Sequence, residues 1–259
     1  MIKGALFDID DTLYSHPEKR VPEKNYLLLK KLREKGIKTG VCTSRMIREM
    51  VGVPADLLDL IDCKIMGTGS TTMIEGEYYK SYFIEKAKIY IDYFKKHNID
   101  YSYCDANGDL FYWGDVSKLD NGKLLSWAKG NVLLKEYEDE HITNLFYYNV
   151  SDEDIEFIVN VNKDAYISKW GNSGNICASY VDKGFGVLKF CQAFGFTTDE
   201  VVACGDGGND GEMLQMAGIG IATDDAGERT KSMADYVCEK SIEDGGLYDM
   251  FVKLGIIED

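Results

Sequence analysis

Histidine is scarce in this chain, and positive charge is outnumbered. Only three histidines occur among 259 residues, and none shares with cysteine the spacing of a zinc centre, which argues against zinc chemistry. The seven cysteines (Cys42, Cys63, Cys104, Cys177, Cys191, Cys204 and Cys238) include no C-x-x-C pair, and several lie inside apolar runs. That pattern argues against a disulfide framework and fits buried free thiols in a reducing compartment. No uninterrupted apolar run is long enough to span a bilayer, and Met1-Ile2-Lys3-Gly4 leads straight into an apolar strand with no room for a signal peptide. The expected location is cytoplasmic. Lys and Arg number 29 against 44 Asp and Glu, a formal net charge of -15. Nucleic acid and anionic membrane both demand a basic face, so neither is an expected partner. An acidic protein that binds phosphate must instead build a locally positive site from a metal ion, a lysine and helix N-termini.

What is present is ample material for a core: 45% of residues are hydrophobic, and the length suits one large α/β domain or a domain carrying a smaller one. The chain opens on Ala5-Leu6-Phe7-Asp8-Ile9-Asp10-Asp11-Thr12-Leu13, an apolar strand ending in carboxylates. Alternation along an extended segment would put Asp8 and Asp10 on one side. Two adjacent carboxylates repel, and such pairs suit a shared cation or a retained proton.

Pro22 then opens a helix with Tyr26, Leu28, Leu29 and Leu32 inward and Gly36 at its end. Residues 37–42 read as a second strand, followed by Thr43-Ser44-Arg45 and a helical pattern over 46–50. Hydroxyls between a strand and a helix start can seat a phosphate or simply cap the helix. A third strand over 64–67 runs into the turn Thr68-Gly69-Ser70-Thr71-Thr72. From about residue 83 the texture changes to helix (84–97), strands (99–105 and 110–113), strand (142–150), helix (153–162), and a hairpin of 166–170 and 176–181 around Gly171-Asn172-Ser173-Gly174. This is an open-sheet α+β insertion.

The α/β rhythm resumes at Asp182-Lys183-Gly184-Phe185-Gly186. Lys183 starts a helix, the unfavourable end for a cation unless it faces an anion. Residues 200–204 form an apolar strand of the kind buried in a parallel sheet, discharging into Gly205-Asp206-Gly207-Gly208-Asn209-Asp210. Residues 218–222 and 235–238 read as two further short buried strands, and 247–254 as a last helix. Ligands of open α/β sheets bind at the carboxyl ends of strands, so these acidic and hydroxyl strand ends and the helix-initial lysine should converge on one crevice.

In this order, Asp8-Ile9-Asp10-Asp11-Thr12, Thr43, Lys183 and Gly205-Asp206-Gly207-Gly208-Asn209-Asp210 resemble the four signatures of the haloacid dehalogenase-like (HAD) phosphohydrolase superfamily. The long insertion, and the run Ala217-Gly218-Ile219-Gly220-Ile221-Ala222, resemble its Cof-type subgroup. The resemblance implies a Rossmann-like three-layer parallel-sheet core of residues 1–82 and 181–259, with residues 83–180 as an inserted α+β cap that selects substrate. It implies a Mg²⁺-dependent phosphatase acting on a small phosphorylated metabolite, a sugar phosphate or phosphorylated cofactor, through an aspartyl-phosphate. Asp8 would be the nucleophile and Asp10 the proton carrier. Thr43, Ser44, Lys183 and Asn209 would bind the phosphoryl oxygens. Mg²⁺ would be held by Asp8, the backbone carbonyl of Asp10, and Asp206, with Asp210 acting through a bound water or by orienting Lys183.

Three positions depart from the subgroup's pattern: Asp11 stands where Gly is usual, Thr68-Gly69-Ser70 where Asn-Gly-Ala is usual, and Asp224-Asp225-Ala226 where Gly-Asn-Ala is usual. A sugar phosphomutase would use the same Asp8 and Asp10 but retain the phosphoryl group, and no further feature selects it. A non-catalytic binding or regulatory protein on this scaffold is disfavoured by the presence of Asp8, Asp10, Lys183 and Asp206. Topology alone nominates Trp113, Asp115, Trp170 and Asn172 as substrate contacts, with core packing or turn formation as the competing role. No seam of apolar heptads sets an oligomeric state.

Overall fold

The computed structural model describes residues 1–117 and 132–259, and its chain divides into two compact units. The first comprises Met1–Ser44, Val53–Lys80 and Asp182–Asp259; the second comprises Arg45–Gly52 and Ser81–Val181. In chain order the first unit begins with β1 (Gly4–Phe7), α1 (Glu23–Glu34), β2 (Lys38–Cys42), α2 (Ala55–Leu58), β3 (Cys63–Met66), β4 (Thr71–Ile74) and β5 (Glu77–Ser81).

The second unit follows with α3 (Ala87–Lys96), β6 (Tyr101–Asp105), β7 (Leu110–Trp113), β8 (Val132–Leu134), β9 (Ile142–Tyr147), α4 (Asp152–Val161), β10 (Ala165–Trp170) and β11 (Ser173–Ser179). Its six described strands form one open sheet in the order β10-β11-β9-β6-β7-β8, antiparallel except where β7 meets β8. Alternation divides β6 cleanly. Tyr101 and Tyr103 join Tyr90, Ile91 and Phe94 of α3 and Ile158 of α4 in one core, while Cys104 points to the opposite face among Met46, Leu110, Tyr112, Phe146 and Tyr148.

The chain then returns to the first unit through α5 (Lys183–Phe194), β12 (Val201–Gly205), α6 (Gly211–Met216), β13 (Ile219–Ala222), α7 (Glu228–Ser232), β14 (Tyr236–Val237) and α8 (Gly246–Lys253). Its sheet runs β14-β13-β12-β1-β2-β3-β4-β5, parallel from β14 to β3 and antiparallel at β3–β4. The sheet is the middle of three layers. Leu6 packs on one face with Val187 and Phe190 of α5 and Met213 and Leu214 of α6. Its neighbour Phe7 points the other way and stacks on Phe251 of α8 at 5.9 Å, as strand alternation requires. Gly186 lets α5 lie close on the sheet, because a Cβ there would meet the Cys42 sulfur at 2.6 Å. No helix among the described residues is long and apolar enough to cross a membrane, and all seven cysteines are buried and free.

Several details differ from the sequence reading. Residues 47–52 form a 3₁₀ helix, and the segment groups with the second unit, because Met46 buries its side chain among Cys104, Leu110 and Phe146. The strand expected at 235–238 is only Tyr236–Val237 and is exposed, since it forms the free edge of the sheet and has a partner on one side alone. The 166–181 hairpin is tighter than expected: Trp170 pairs directly with Ser173 across Gly171-Asn172, and Gly171 takes a φ of +59°, which costs glycine little. Strand β8 had no periodic signal, being three residues long.

Candidate active site

Strand β1 ends at Phe7, and the Asp8 N–H makes one more ladder bond, 2.9 Å to the Cys204 carbonyl of β12. This fixes Asp8 beside the carboxyl end of β12, where Asp206 and Asp210 follow. Carboxylate oxygens of Asp8, Asp206 and Asp210 all lie within 4.8 Å of one another. Lys183, the first residue of α5, reaches into this cluster with only 1% of its surface exposed. Its Nζ donates to Asp210 Oδ1 at 2.6 Å and lies 3.0 Å from Asp8 Oδ1. The aligned hydrogen bond goes to Asp210, so Asp8 Oδ1 is a buried oxygen with a charge contact but no hydrogen-bond donor. A cation at a helix start is explained by these anions, as the dipole rule demands.

The turn after β12 is built around Asp210. Its Oδ2 accepts the N–H groups of Asp206 (3.1 Å) and Gly207 (2.8 Å), folding the carboxylate back over Gly205, where any Cβ would come within 2.5 Å of it. Thr230 of α7 ties the same turn down by donating to the Gly207 carbonyl at 3.0 Å. Asp206 Oδ1 accepts the Thr12 hydroxyl at 2.9 Å, joining the first and last motifs. Asn209 Nδ2 donates to Ser44 Oγ at 2.8 Å, joining the second and the last. Thr43 is fully buried beyond β2, its N–H donating to Ile65 and its carbonyl accepting from Thr68, both at 2.9 Å.

Asp10 is placed differently from its neighbours. Alternation does not extend to it, since the strand has already ended, and its carboxylate pairs with His16 Nε2 at 2.7 Å. Of the residues nominated in the inserted segment, Trp113 stacks on Tyr101 at 5.4 Å and packs against the second unit's core. Asp115 accepts from the Ser117 backbone and hydroxyl, and Trp170 and Asn172 are exposed in the hairpin.

Two residues have roles that the motifs did not mark. Buried Asn25 on α1 donates to the carbonyls of Thr12 and Leu13 at 3.2 and 3.1 Å, and its signal was a polar residue in register with Leu28, Leu29 and Leu32. His16 had no such signal, because its contact with Asp10 is made by a turn and not by a repeat.

The electrostatics follow from burial and crowding. Burial pushes the Asp8 carboxyl well above the usual carboxylate range, against the pull of Lys183 and reinforced by Asp210, Asp206 and Asp10. Burial, then Asp210, push Asp206 up to about 7, against the Thr12 hydrogen bond. For Lys183, burial alone would lower the pKa, but Asp210 and Asp8 outweigh it and hold the ammonium firmly charged. One lysine thus faces three carboxylates, and an all-oxygen cluster with excess negative charge and an unbonded buried oxygen fits a hard divalent cation.

A family model described as haloacid dehalogenase-like hydrolase matches residues 5–251. Over 261 residues the chain is 26% identical to the 5-amino-6-(5-phospho-D-ribitylamino)uracil phosphatase YcsE of Bacillus subtilis (strain 168), covering 94% of this chain and 92% of that protein. It is 43% identical to a phosphoglycolate phosphatase of Methanosarcina mazei over only 67 residues, 26% of this chain and 30% of that protein. Among solved structures, the HAD subclass IIB sugar phosphatase BT4131 superposes with a TM-score of 0.85 at 22% identity, covering 98% of this chain and 100% of that one. At that identity the likeness is one of fold.

Proposed function

The chain belongs to the haloacid dehalogenase-like hydrolase family, and from that premise we propose that it is a Mg²⁺-dependent phosphatase of a small phosphorylated metabolite. The observation that carries the reading is the buried Lys183 held between Asp8 at 3.0 Å and Asp210 at 2.6 Å, with Asp206 beside them. A fixed cation next to an acceptor-only carboxylate oxygen is what a phosphoryl group approaching a carboxylate nucleophile requires.

Asp8 Oδ attacks phosphorus, forming an acyl phosphate as the bond to the leaving oxygen breaks and its electron pair departs with that oxygen. Asp10 delivers a proton to the leaving oxygen. In the second step Asp10, now ionised, takes a proton from water as the water oxygen bonds to phosphorus. The Asp8–phosphorus bond breaks, its electrons return to the carboxylate, and inorganic phosphate leaves. Lys183, Thr43, Ser44 and Asn209 are assigned to the phosphoryl oxygens. Asp8, Asp206 and the Asp10 carbonyl would hold Mg²⁺, with Asp210 fixing Lys183 and the turn; the ion supplies positive charge that offsets phosphate and carboxylate together. Residues 83–180 are assigned the choice of leaving group, acting as a cap. The names of the relatives, a sugar phosphatase and a phosphoribityl-uracil phosphatase, support a polyol or sugar phosphate monoester as substrate. A cytoplasmic setting accords with the free cysteines.

The test is phosphate release from a metabolite panel with Mg²⁺. Hydrolysis lost on chelation and in Asp8→Asn is expected; activity that survives both would overturn the reading.

A further inference from the structure

Asp11 departs from the resemblance, and His16 was marked by no motif, yet the two occupy one turn with the carboxylate assigned to proton transfer. Asp11 takes a φ of +54°, a left-handed conformation that glycine adopts freely and aspartate tolerates. Glycine would be easier there. Aspartate adds an acceptor: Asp11 Oδ1 takes the His16 backbone N–H at 2.9 Å. The Asp11 N–H donates in turn to the Tyr14 carbonyl at 2.8 Å, and the Tyr14 N–H donates to Ile9 at 2.8 Å. The Tyr14 ring meets the imidazole edge-on at 5.4 Å. These contacts hold the backbone and the ring of His16, and its Nε2 then lies 2.7 Å from Asp10 Oδ1.

We propose that Asp11 and His16 form a positioning device that fixes the orientation of the Asp10 carboxylate for proton transfer to the leaving oxygen. The device rests on the reaction assigned above and deepens it. The imidazole of His16 is about half exposed, and an isolated pair in such a setting contributes little to stability. Its effect is therefore orientational. A carboxylate on a turn has two side-chain torsions, and a hydrogen bond to one oxygen selects a single rotamer. The Nε2–H of an imidazole can donate to Asp10 Oδ1 whether or not the carboxyl carries its proton on Oδ2. Contact is thus kept through both halves of the cycle. His16 is not assigned a contact with substrate.

Leaving-group dependence separates this role from a merely structural one. An alkyl phosphate expels a basic alkoxide and needs the proton; p-nitrophenyl phosphate expels a stabilised anion and does not. His16→Ala is expected to lower kcat/KM for an alkyl phosphate hydrolysed by the wild-type protein by about 10-fold or more, within the range of general acid catalysis, and to change kcat/KM for p-nitrophenyl phosphate by less than about 3-fold, since kcat/KM excludes the later hydrolysis of the acyl phosphate that both substrates share. His16→Gln, which restores an N–H near the same place, should recover most of the loss. Asp11→Asn and Asp11→Gly remove the same charge, but only Asn keeps an acceptor for the His16 N–H. The asparagine variant should retain the wild-type ratio of the two substrates, and the glycine variant should lose it.

Equal losses of kcat/KM on both substrates, or a wild-type ratio of the two kcat/KM values in His16→Ala while Asp10→Asn shows the leaving-group effect, would overturn the positioning role alone. Absence of hydrolysis of either ester by the wild-type protein would overturn the reaction and the positioning role with it.

Discussion

Lys183 shows how much one side chain can organise. Nearly its whole surface is buried, and it faces two carboxylates that are themselves buried. Removing one member of such a set leaves uncompensated charge, which costs about 3–5 kcal/mol. Lys183→Met should therefore destabilise the fold by that order in urea denaturation as well as abolish turnover. The neighbouring carboxylates behave in the opposite sense. Asp206 has an ordinary value of 3.8 and is raised to about 7. A folded-state value above the unfolded one means that its contribution to stability is complete at low pH and is lost as pH rises through about 7. The metal-free protein should consequently melt at a lower temperature at a pH of about 8 than at about 5.5, and added Mg²⁺ should raise the melting temperature most at the higher pH, where it need not displace protons. Asp206→Asn should raise the metal-free melting temperature and remove most of the response to Mg²⁺; thermal scans at the two pH values check both statements.

At the scale of elements, the site depends on how closely α5 approaches the sheet. Gly186 lies one turn into that helix, against Cys42 of β2 and Ile65 of β3. A methyl group there has to move the sulfur or the helix, and overpacking of this kind costs about 1–3 kcal/mol. Gly186→Ala is expected to lower stability by that amount and to lower kcat, because any shift of α5 carries Lys183 away from Asp8. Leu188, on the exposed face of the same helix, is the control: Leu188→Ala should change stability by less than about 0.5 kcal/mol. Urea titrations of both variants, with kcat measured alongside, separate the two effects. The elements themselves were largely legible. The all-apolar run ending at Cys204 and the proline-initiated α1 carry strong local signals. β8, the 3₁₀ turn at 47–52 and the exposed edge strand at 236–237 carry weak ones, because short segments take their conformation from their neighbours.

For the molecule as a whole, a net charge of -15 opposes the approach of a phosphate dianion, and that repulsion is screened over about 8–10 Å at physiological salt. The kcat/KM for a phosphate monoester should therefore rise between about 10 and 150 mM ionic strength at constant Mg²⁺; a fall would indicate that the local cation site dominates encounter. The change to aromatic, alternating segments near residue 83 lies close to Ser81, where the long stretch of the second unit begins, whereas the membership of Arg45–Gly52 in that unit left no local signal, since it depends on Met46 finding an apolar surface distant in sequence. What the sequence by itself determined was the set of chemically competent residues and the strand and helix ends on which they lie, because periodicity and residue type are local properties. Which of them meet was decided only by the tertiary structure. Parallel pairing of β1 with β12 sets Asp8 beside Asp206 and Asp210 while Asp10, past the end of its strand, turns to His16. Such meetings depend on register between segments some two hundred residues apart, and on the hydrogen bonds of one tight turn, neither of which leaves a period in the chain.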